Sequence, residues 1–315
     1  MKAVWIAICA ACSAARPIPK ATLPVDLVAV RSVPTPCSAV PPRTGGLRHW
    51  KNHVTSPLHA RRGEDLLATA SAATQTIEGW ALEDEDVEVY ACIGDVWHHT
   101  GTARADRTGH FALAVAGDAR VPSGTRDLYL ETHDGNGARF LAFVAADDTK
   151  LVISDVDGTL TNEEHAFVKG LVLDRRTGVQ PGAAEAYRAA AARGFQVVYV
   201  TARGNQFIPS TRAWLEANGF PRGPLRLSQG WITLPGTKAI GFKTATLAKL
   251  PFAIAGAVGN RATDITAYTA AGIAPDRIFI KLPEYAGEVQ AGLAAGKAIG
   301  FARYDDLRTQ HIATW

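Results

Sequence analysis

The chain has 315 residues, of which 47% are hydrophobic and 20% charged, so it holds enough apolar material for a sizeable core and is not dominated by disorder. That length suits two compact units joined by linkers. The formal charge of +3 comes without dense Lys/Arg clustering, which argues against a nucleic-acid partner and is compatible with an anionic substrate or a lipid surface. At the N-terminus, Lys2 precedes an apolar stretch from Ala3 to Ala15, followed by Arg16 and Pro17. Residues 1–15 have the length of a signal-peptide apolar region and are too short to span a membrane. They predict an exported protein, either periplasmic or anchored as a lipoprotein through Cys12. The alternative is an unstructured leader on a cytoplasmic protein.

The lone Cys-x-x-Cys, at Cys9 and Cys12, sits in this apolar leader and does not predict a zinc site. Export would permit a disulfide between Cys37 and Cys92, but two free thiols are the simpler expectation. Residues 16–67 are rich in Pro, Arg, Ser and Thr and read as a tether. Over 68–148, short alternating runs such as Phe111/Leu113/Val115 and Leu128/Leu130 recur between turns, which predicts a small all-β sandwich. Over 149–315, apolar strands at Leu151–Ser154, Val197–Val200, Ala253–Val258 and Arg277–Ile280 alternate with helical stretches at 183–192, 210–218 and 263–271. That alternation predicts a doubly wound α/β domain with a parallel sheet.

Ligands of such sheets bind beyond the carboxyl ends of the strands, and Asp155 stands where the first strand of this series ends. In Asp155-Val156-Asp157-Gly158-Thr159, Asp155 can attack phosphorus and Asp157 can protonate a leaving oxygen and later activate water. Thr159 can donate a hydrogen bond to a phosphoryl oxygen. A calcium loop is the competing reading, but Ala166 stands where its distal Glu would be needed. Thr201 closes the second strand and is either a phosphate ligand or a helix cap, while Arg203 reads as a surface charge. Lys243 can neutralise nucleophile and phosphate or simply be solvated. Asn260 and Asp264 offer oxygen ligands suited to Mg²⁺, although Asp264 alone could serve the start of a helix.

Together, Asp155-Val156-Asp157-Gly158-Thr159, Thr201, Lys243 and Gly259-Asn260-Arg261-x-x-Asp264 resemble the motifs of the haloacid dehalogenase superfamily. Val200-Thr201-Ala202-Arg203, Gly223-Pro224-Leu225-Arg226-Leu227-Ser228 and Phe242-Lys243-Thr244 bring the resemblance to the lipin family, over 149–307. That family includes Mg²⁺-dependent phosphatidate phosphatases and the C-terminal domain of phosphatidylinositol transfer proteins. The resemblance implies a Rossmann-like fold with Asp155 as nucleophile and Asp157 as acid/base. It further implies Thr201 and Lys243 as phosphate ligands, and Asp155, Asp157, Asn260 and Asp264 around Mg²⁺.

The implied substrate is a phosphorylated molecule, phosphatidate or a related phospholipid at a membrane surface. The alternatives are a non-catalytic module that binds phosphatidate or phosphoinositide, and a phosphatase of a soluble phosphomonoester. The transfer-protein branch lacks catalytic acids, whereas both carboxylates stand here. No amphipathic N-terminal helix of the lipin kind is evident. Residues 160–181 and 204–241 leave little room for a folded cap, so a lightly covered site is expected, with Trp214, Phe220 and Trp231 either in the core or at a lipid surface.

Overall fold

The computed structural model describes residues 36–39, 61–133, 135–162, 177–230 and 236–315. The expected leader with Cys12, most of the 16–67 segment and Trp231 lie outside the described residues. Among those described, no helix is long and apolar enough to cross a membrane.

Among the described residues, eight strands come first: β1 (Arg62–Gly63), β2 (Leu66–Thr69), β3 (Thr74–Trp80), β4 (Asp86–Ile93), β5 (Val96–Arg104), β6 (His110–Ala116), β7 (Gly124–Thr132) and β8 (Gly137–Ala145). They form a three-stranded sheet, β1-β3-β6, and a five-stranded sheet, β2-β8-β7-β4-β5. All neighbours run antiparallel except β2 and β8. Burial alternates along β3, where Gln75, Ile77 and Gly79 face inward, as a period of two requires of a sheet with one covered face. Ile77, Phe111 and Val115 of the small sheet share one core with Val87, Val89, Leu128, Leu130 and Phe140 of the large one. The turn at Asp106–Gly109 is held by the Asp106 carboxylate, which accepts from the Thr108 and His110 amides at 2.7 and 3.1 Å.

Two expectations need correction here. The segment read as a tether up to residue 67 already contains β1 and the first half of β2, because a run as short as Leu66–Thr69 shows no period of its own and gains its pairing from β8. Cys37 and Cys92 are a disulfide rather than free thiols. Around it, Pro36 bridges to Val96, Trp97 donates to the Ala39 carbonyl, and Cys37 packs with Tyr90, Trp97 and Tyr129. This second apolar cluster explains why β4 is buried on both faces from Val87 to Ala91.

The α/β part follows: β9 (Leu151–Ser154), α1 (Ala183–Ala192), β10 (Gln196–Gly204), α2 (Ile208–Ala217), β11 (Leu225–Ser228), α3 (Gly236–Ala248), β12 (Ile254–Gly259), α4 (Ala262–Ala270), β13 (Ile278–Lys281), α5 (Ala286–Ala294) and β14 (Ile299–Phe301). Its six strands are parallel in the order β11-β10-β9-β12-β13-β14. The chain winds outward from β9 through β10 to β11, then returns to the other side of β9 at β12, so the switch point lies between β9 and β12. Consecutive strand residues feed opposite layers. Val152, Val197 and Tyr199 join the core under α1, and Leu151, Ile153, Val198 and Val200 join the core under α3, α4 and α5.

The β part packs on the outer strand of this sheet. Asp65, between β1 and β2, accepts from the amide of Leu225 on β11 at 2.9 Å, from Arg212 on α2 at 2.5 Å and from the Leu141 amide at 2.8 Å. Glu64 pairs with Arg226 at 3.2 Å. The exposed edge that β11 would otherwise present is thereby covered.

Candidate active site

The site grows from the end of β9. The Asp155 amide still bonds the Val258 carbonyl of β12 at 2.9 Å, and the chain then turns through Gly158 at a φ of +70°. A side chain at Gly158 is excluded twice over, because a Cβ there would lie 2.1 Å from Asn260 Nδ2 as well as needing the left-handed conformation. Thr161 caps the turn by accepting from the Gly158 amide at 2.8 Å. Behind the loop, Tyr187 of α1 donates to Ser154 Oγ at 2.7 Å, and Ser154 donates to the Asp155 carbonyl at 2.7 Å. Tyr304 donates to the Thr159 carbonyl at 2.7 Å. Both tyrosines are fully buried and fix the loop from its apolar side.

In front of the loop, Asp155 Oδ1 accepts from Lys243 Nζ at 2.7 Å, and Oδ2 accepts from Thr159 Oγ1 at 3.1 Å. Lys243, on α3, also donates to Asp264 Oδ1 at 2.6 Å, so one ammonium lies between two carboxylates. Asp264 does serve the start of a helix, and it meets Lys243 as well. Its Oδ2 accepts from the amides of Asn260 and Arg261 at 3.0 and 3.1 Å, closing the first turn of α4, while Oδ1 faces the site. Asn260 Oδ1 accepts a long bond from Thr159 at 3.3 Å, and its Nδ2 is buried with no hydrogen-bond partner among the described residues.

Asp157 is placed differently from the other candidates. Its carboxylate accepts from Arg203 Nε at 2.8 Å and Nη2 at 2.7 Å, and from Thr201 Oγ1 at 3.2 Å. Arg203 is therefore no surface charge: it is 1% exposed and paired. A lone Arg near the end of a strand gives no sequence signal of burial, and only its place two residues beyond Thr201, a position facing the same side of β10, could have suggested it.

The electrostatics carry a surplus of negative charge. Asp155 is pushed up to about 7, first by burial and then by Asp264 and Asp157, against the opposing pull of Lys243. Burial alone would lower Lys243, but Asp155 and Asp264 raise it above the ordinary lysine value and keep it charged. Asp155, Asp264 and Asn260 Oδ1 present hard oxygen donors around this surplus, which fits Mg²⁺ by chemistry and charge. In this structure the Asp157 side chain is turned to Arg203 instead.

Of the aromatic residues expected either in the core or at lipid, Trp214 stacks on Phe220 at 5.6 Å and donates to the Thr177 carbonyl. Phe220 lies in the core beside Tyr187 and Tyr199, so these two are core residues. The expected light cover rests on segments in which 163–176 and 231–235 are outside the described residues.

Residues 152–281 match the family model of the LNS2 domain of PITM 1–3. Over 233 residues the chain is 25% identical to human membrane-associated phosphatidylinositol transfer protein 1, covering 73% of this chain and 18% of that one. It is 29% identical to human phosphatidate phosphatase LPIN2 over 185 residues, covering 52% of this chain and 20% of the relative. It is 31% identical to phosphatidate phosphatase PAH1 of Arabidopsis thaliana over 165 residues, covering 46% and 18%. The chain thus spans about a fifth of the length of these curated relatives. With Asp155, Asp157, Thr201, Lys243, Asn260 and Asp264 all at the carboxyl side of one doubly wound sheet, the α/β part of this chain is a lipin-family domain of the haloacid dehalogenase-like fold.

Proposed function

We propose that the chain is a Mg²⁺-dependent phosphatase that works through an aspartyl-phosphate on Asp155 and acts on phosphatidate or a related phospholipid monoester. The observation that carries this reading is the Lys243 ammonium held between Asp155 and Asp264 at the switch point of the sheet, with Asp157 intact two residues on. Asp155 would attack phosphorus while the bond to the leaving oxygen breaks and Asp157 gives that oxygen a proton. Water would then attack the phosphorus of the aspartyl-phosphate, passing its proton to Asp157 and freeing inorganic phosphate and Asp155. Lys243, Thr159, Thr201 and Asn260 Nδ2, which has no partner among the described residues, would donate to the phosphoryl oxygens. Bound at Asp155, Asn260 and Asp264, Mg²⁺ would supply further charge neutralisation at the phosphoryl group.

The names of the relatives support the lipid class: two are phosphatidate phosphatases and one is a phosphatidylinositol transfer protein. The match to the transfer-protein model also supports a second reading, a module that binds phosphatidate or phosphoinositide without turnover. The Cys37–Cys92 disulfide supports a place outside the reducing cytosol, in keeping with an exported protein.

The test is phosphate release by the full chain from phosphatidate in mixed micelles and from a small aryl phosphate, with Mg²⁺ or with chelator, beside Asp155→Asn. The proposal expects release from the lipid that needs both metal and Asp155. Hydrolysis of the aryl phosphate alone would move the substrate to the soluble class, and binding of the lipid with no release from either would establish the binding module.

A further inference from the structure

Arg203 is the bulkiest of the fully buried side chains among the described residues, and it carries a charge. Its guanidinium is used as a fork on one side and a tether on the other. Nε and Nη2 meet the two oxygens of Asp157 at 2.8 and 2.7 Å, while Nη1 donates to Thr211 Oγ1 on α2 at 2.8 Å. Thr211 is itself fully buried and fixed in the helix, so Arg203 has no slack. Asp157, by contrast, is 16% exposed and sits on a loop beyond the strand end, and the side-chain bonds that hold its carboxylate among the described residues come from Arg203 and Thr201. A two-point guanidinium–carboxylate pair admits one mutual geometry, whereas an ammonium is a point charge that leaves the carboxylate free to turn.

We propose that Arg203 is a positioning residue for Asp157, with Thr211 as its anchor, so that α2 sets the direction in which the acid/base carboxylate faces. This rests on the phosphatase reading above, in which Asp157 exchanges a proton with the leaving group and then with water. A group that must meet both partners within hydrogen-bond reach cannot be left to rotate in solvent. Thr201, bonded to Asp157 Oδ2 at 3.2 Å, completes the cradle from the end of β10.

The experiment uses the full chain with Mg²⁺ and a small aryl phosphate, and compares Arg203→Ala, Arg203→Lys and Thr211→Val with the native protein. Both Arg203 substitutions lower kcat about 100-fold while KM stays within about twofold, as expected for a misdirected catalytic group. Guanidinium ion added to the buffer restores at least about tenfold to Arg203→Ala and nothing to Asp157→Ala, a rescue that a purely structural role would not give. Thr211→Val, which keeps the shape and removes the anchor, lowers kcat about tenfold. A rise in KM with kcat unchanged would overturn the proposal by making Arg203 a direct phosphate ligand, and so would a native kcat in Arg203→Lys.

A second arm does not depend on turnover. The Arg203 Nε–H resonance, assigned by its loss in Arg203→Lys, is protected from solvent exchange in the native protein and loses that protection in Asp157→Ala. Protection that survives in Asp157→Ala would contradict the clamp. A native chain silent toward the aryl phosphate would count against the phosphatase reading, and this resonance would still decide whether Arg203 fixes Asp157.

Discussion

Lys243 sets the charge balance of the site, since its ammonium is the shared partner of Asp155 and Asp264 and all three are buried. Removing it leaves two buried carboxylates facing each other. Lys243→Met is therefore expected to cost about 3–5 kcal/mol of stability, read as a fall in the urea midpoint, and to abolish phosphate release. The pH dependence has a definite sign. Asp155 stands raised from its ordinary 3.8 to about 7, so the folded chain holds that proton more tightly than the unfolded chain. The stability this contributes is fully present below 3.8 and is lost as pH rises through about 7. In chelator, the thermal midpoint of the native protein should fall across that window, and Asp155→Asn should show a flatter profile in the same melts. At this scale the sequence was legible where chemistry and spacing coincide, as at Asp155, Lys243 and Asp264. It misread Arg203, whose burial depends on Asp157 arriving from the loop after β9, and it was silent on Tyr187 and Tyr304, which look like any core tyrosine until the loop is packed against them.

The element that would carry the proposed chemistry is the turn after β9, and its requirement for glycine can be tested directly. Gly158→Ala places a methyl group against Asn260 Nδ2 in a left-handed conformation, a strain of about 1–2 kcal/mol before the clash is counted. The expected result is a lowered melting temperature together with loss of phosphate release, because Asn260 must move. Strands β9, β12 and β13 and helices α1, α2 and α4 could be read from the sequence to within a residue or two, since burial gives continuous apolar runs, whereas β10 runs four residues past its expected end and α3 and α5 were not expected. The outer strand β11 could not be read. Leu225-Arg226-Leu227-Ser228 is short and half polar, and it becomes a strand through pairing with β10 and through Asp65, which accepts its first amide. Asp65→Ala leaves that amide, the Leu141 amide and Arg212 without their acceptor. It is expected to cost about 3–5 kcal/mol, measured by denaturant unfolding, without touching the catalytic loop.

Over the whole molecule, the β part covers the outer edge of the catalytic sheet, and the disulfide in turn ties Cys37 to that β part across 55 residues of chain. A cross-link of that span restricts the unfolded chain by about 4 kcal/mol in the loop-entropy account, so reduction should lower the thermal midpoint, and Cys92→Ser should reproduce the shift. The alternation of strand patterns with helices made the α/β class readable from residue 149 onward, because local periodicity and global winding agree there. The start of the β part was not readable, because β1 and β2 are brief and depend on partners far along the chain.

The central claim is that Asp155 takes the phosphoryl group. Acid-quenching the Mg²⁺-supplemented chain within milliseconds of mixing with ³²P-labelled phosphatidate should leave label on the protein, sensitive to hydroxylamine and absent from Asp155→Asn. Labelled inorganic phosphate released with no protein-bound label at any time, or label that persists in Asp155→Asn, would contradict it.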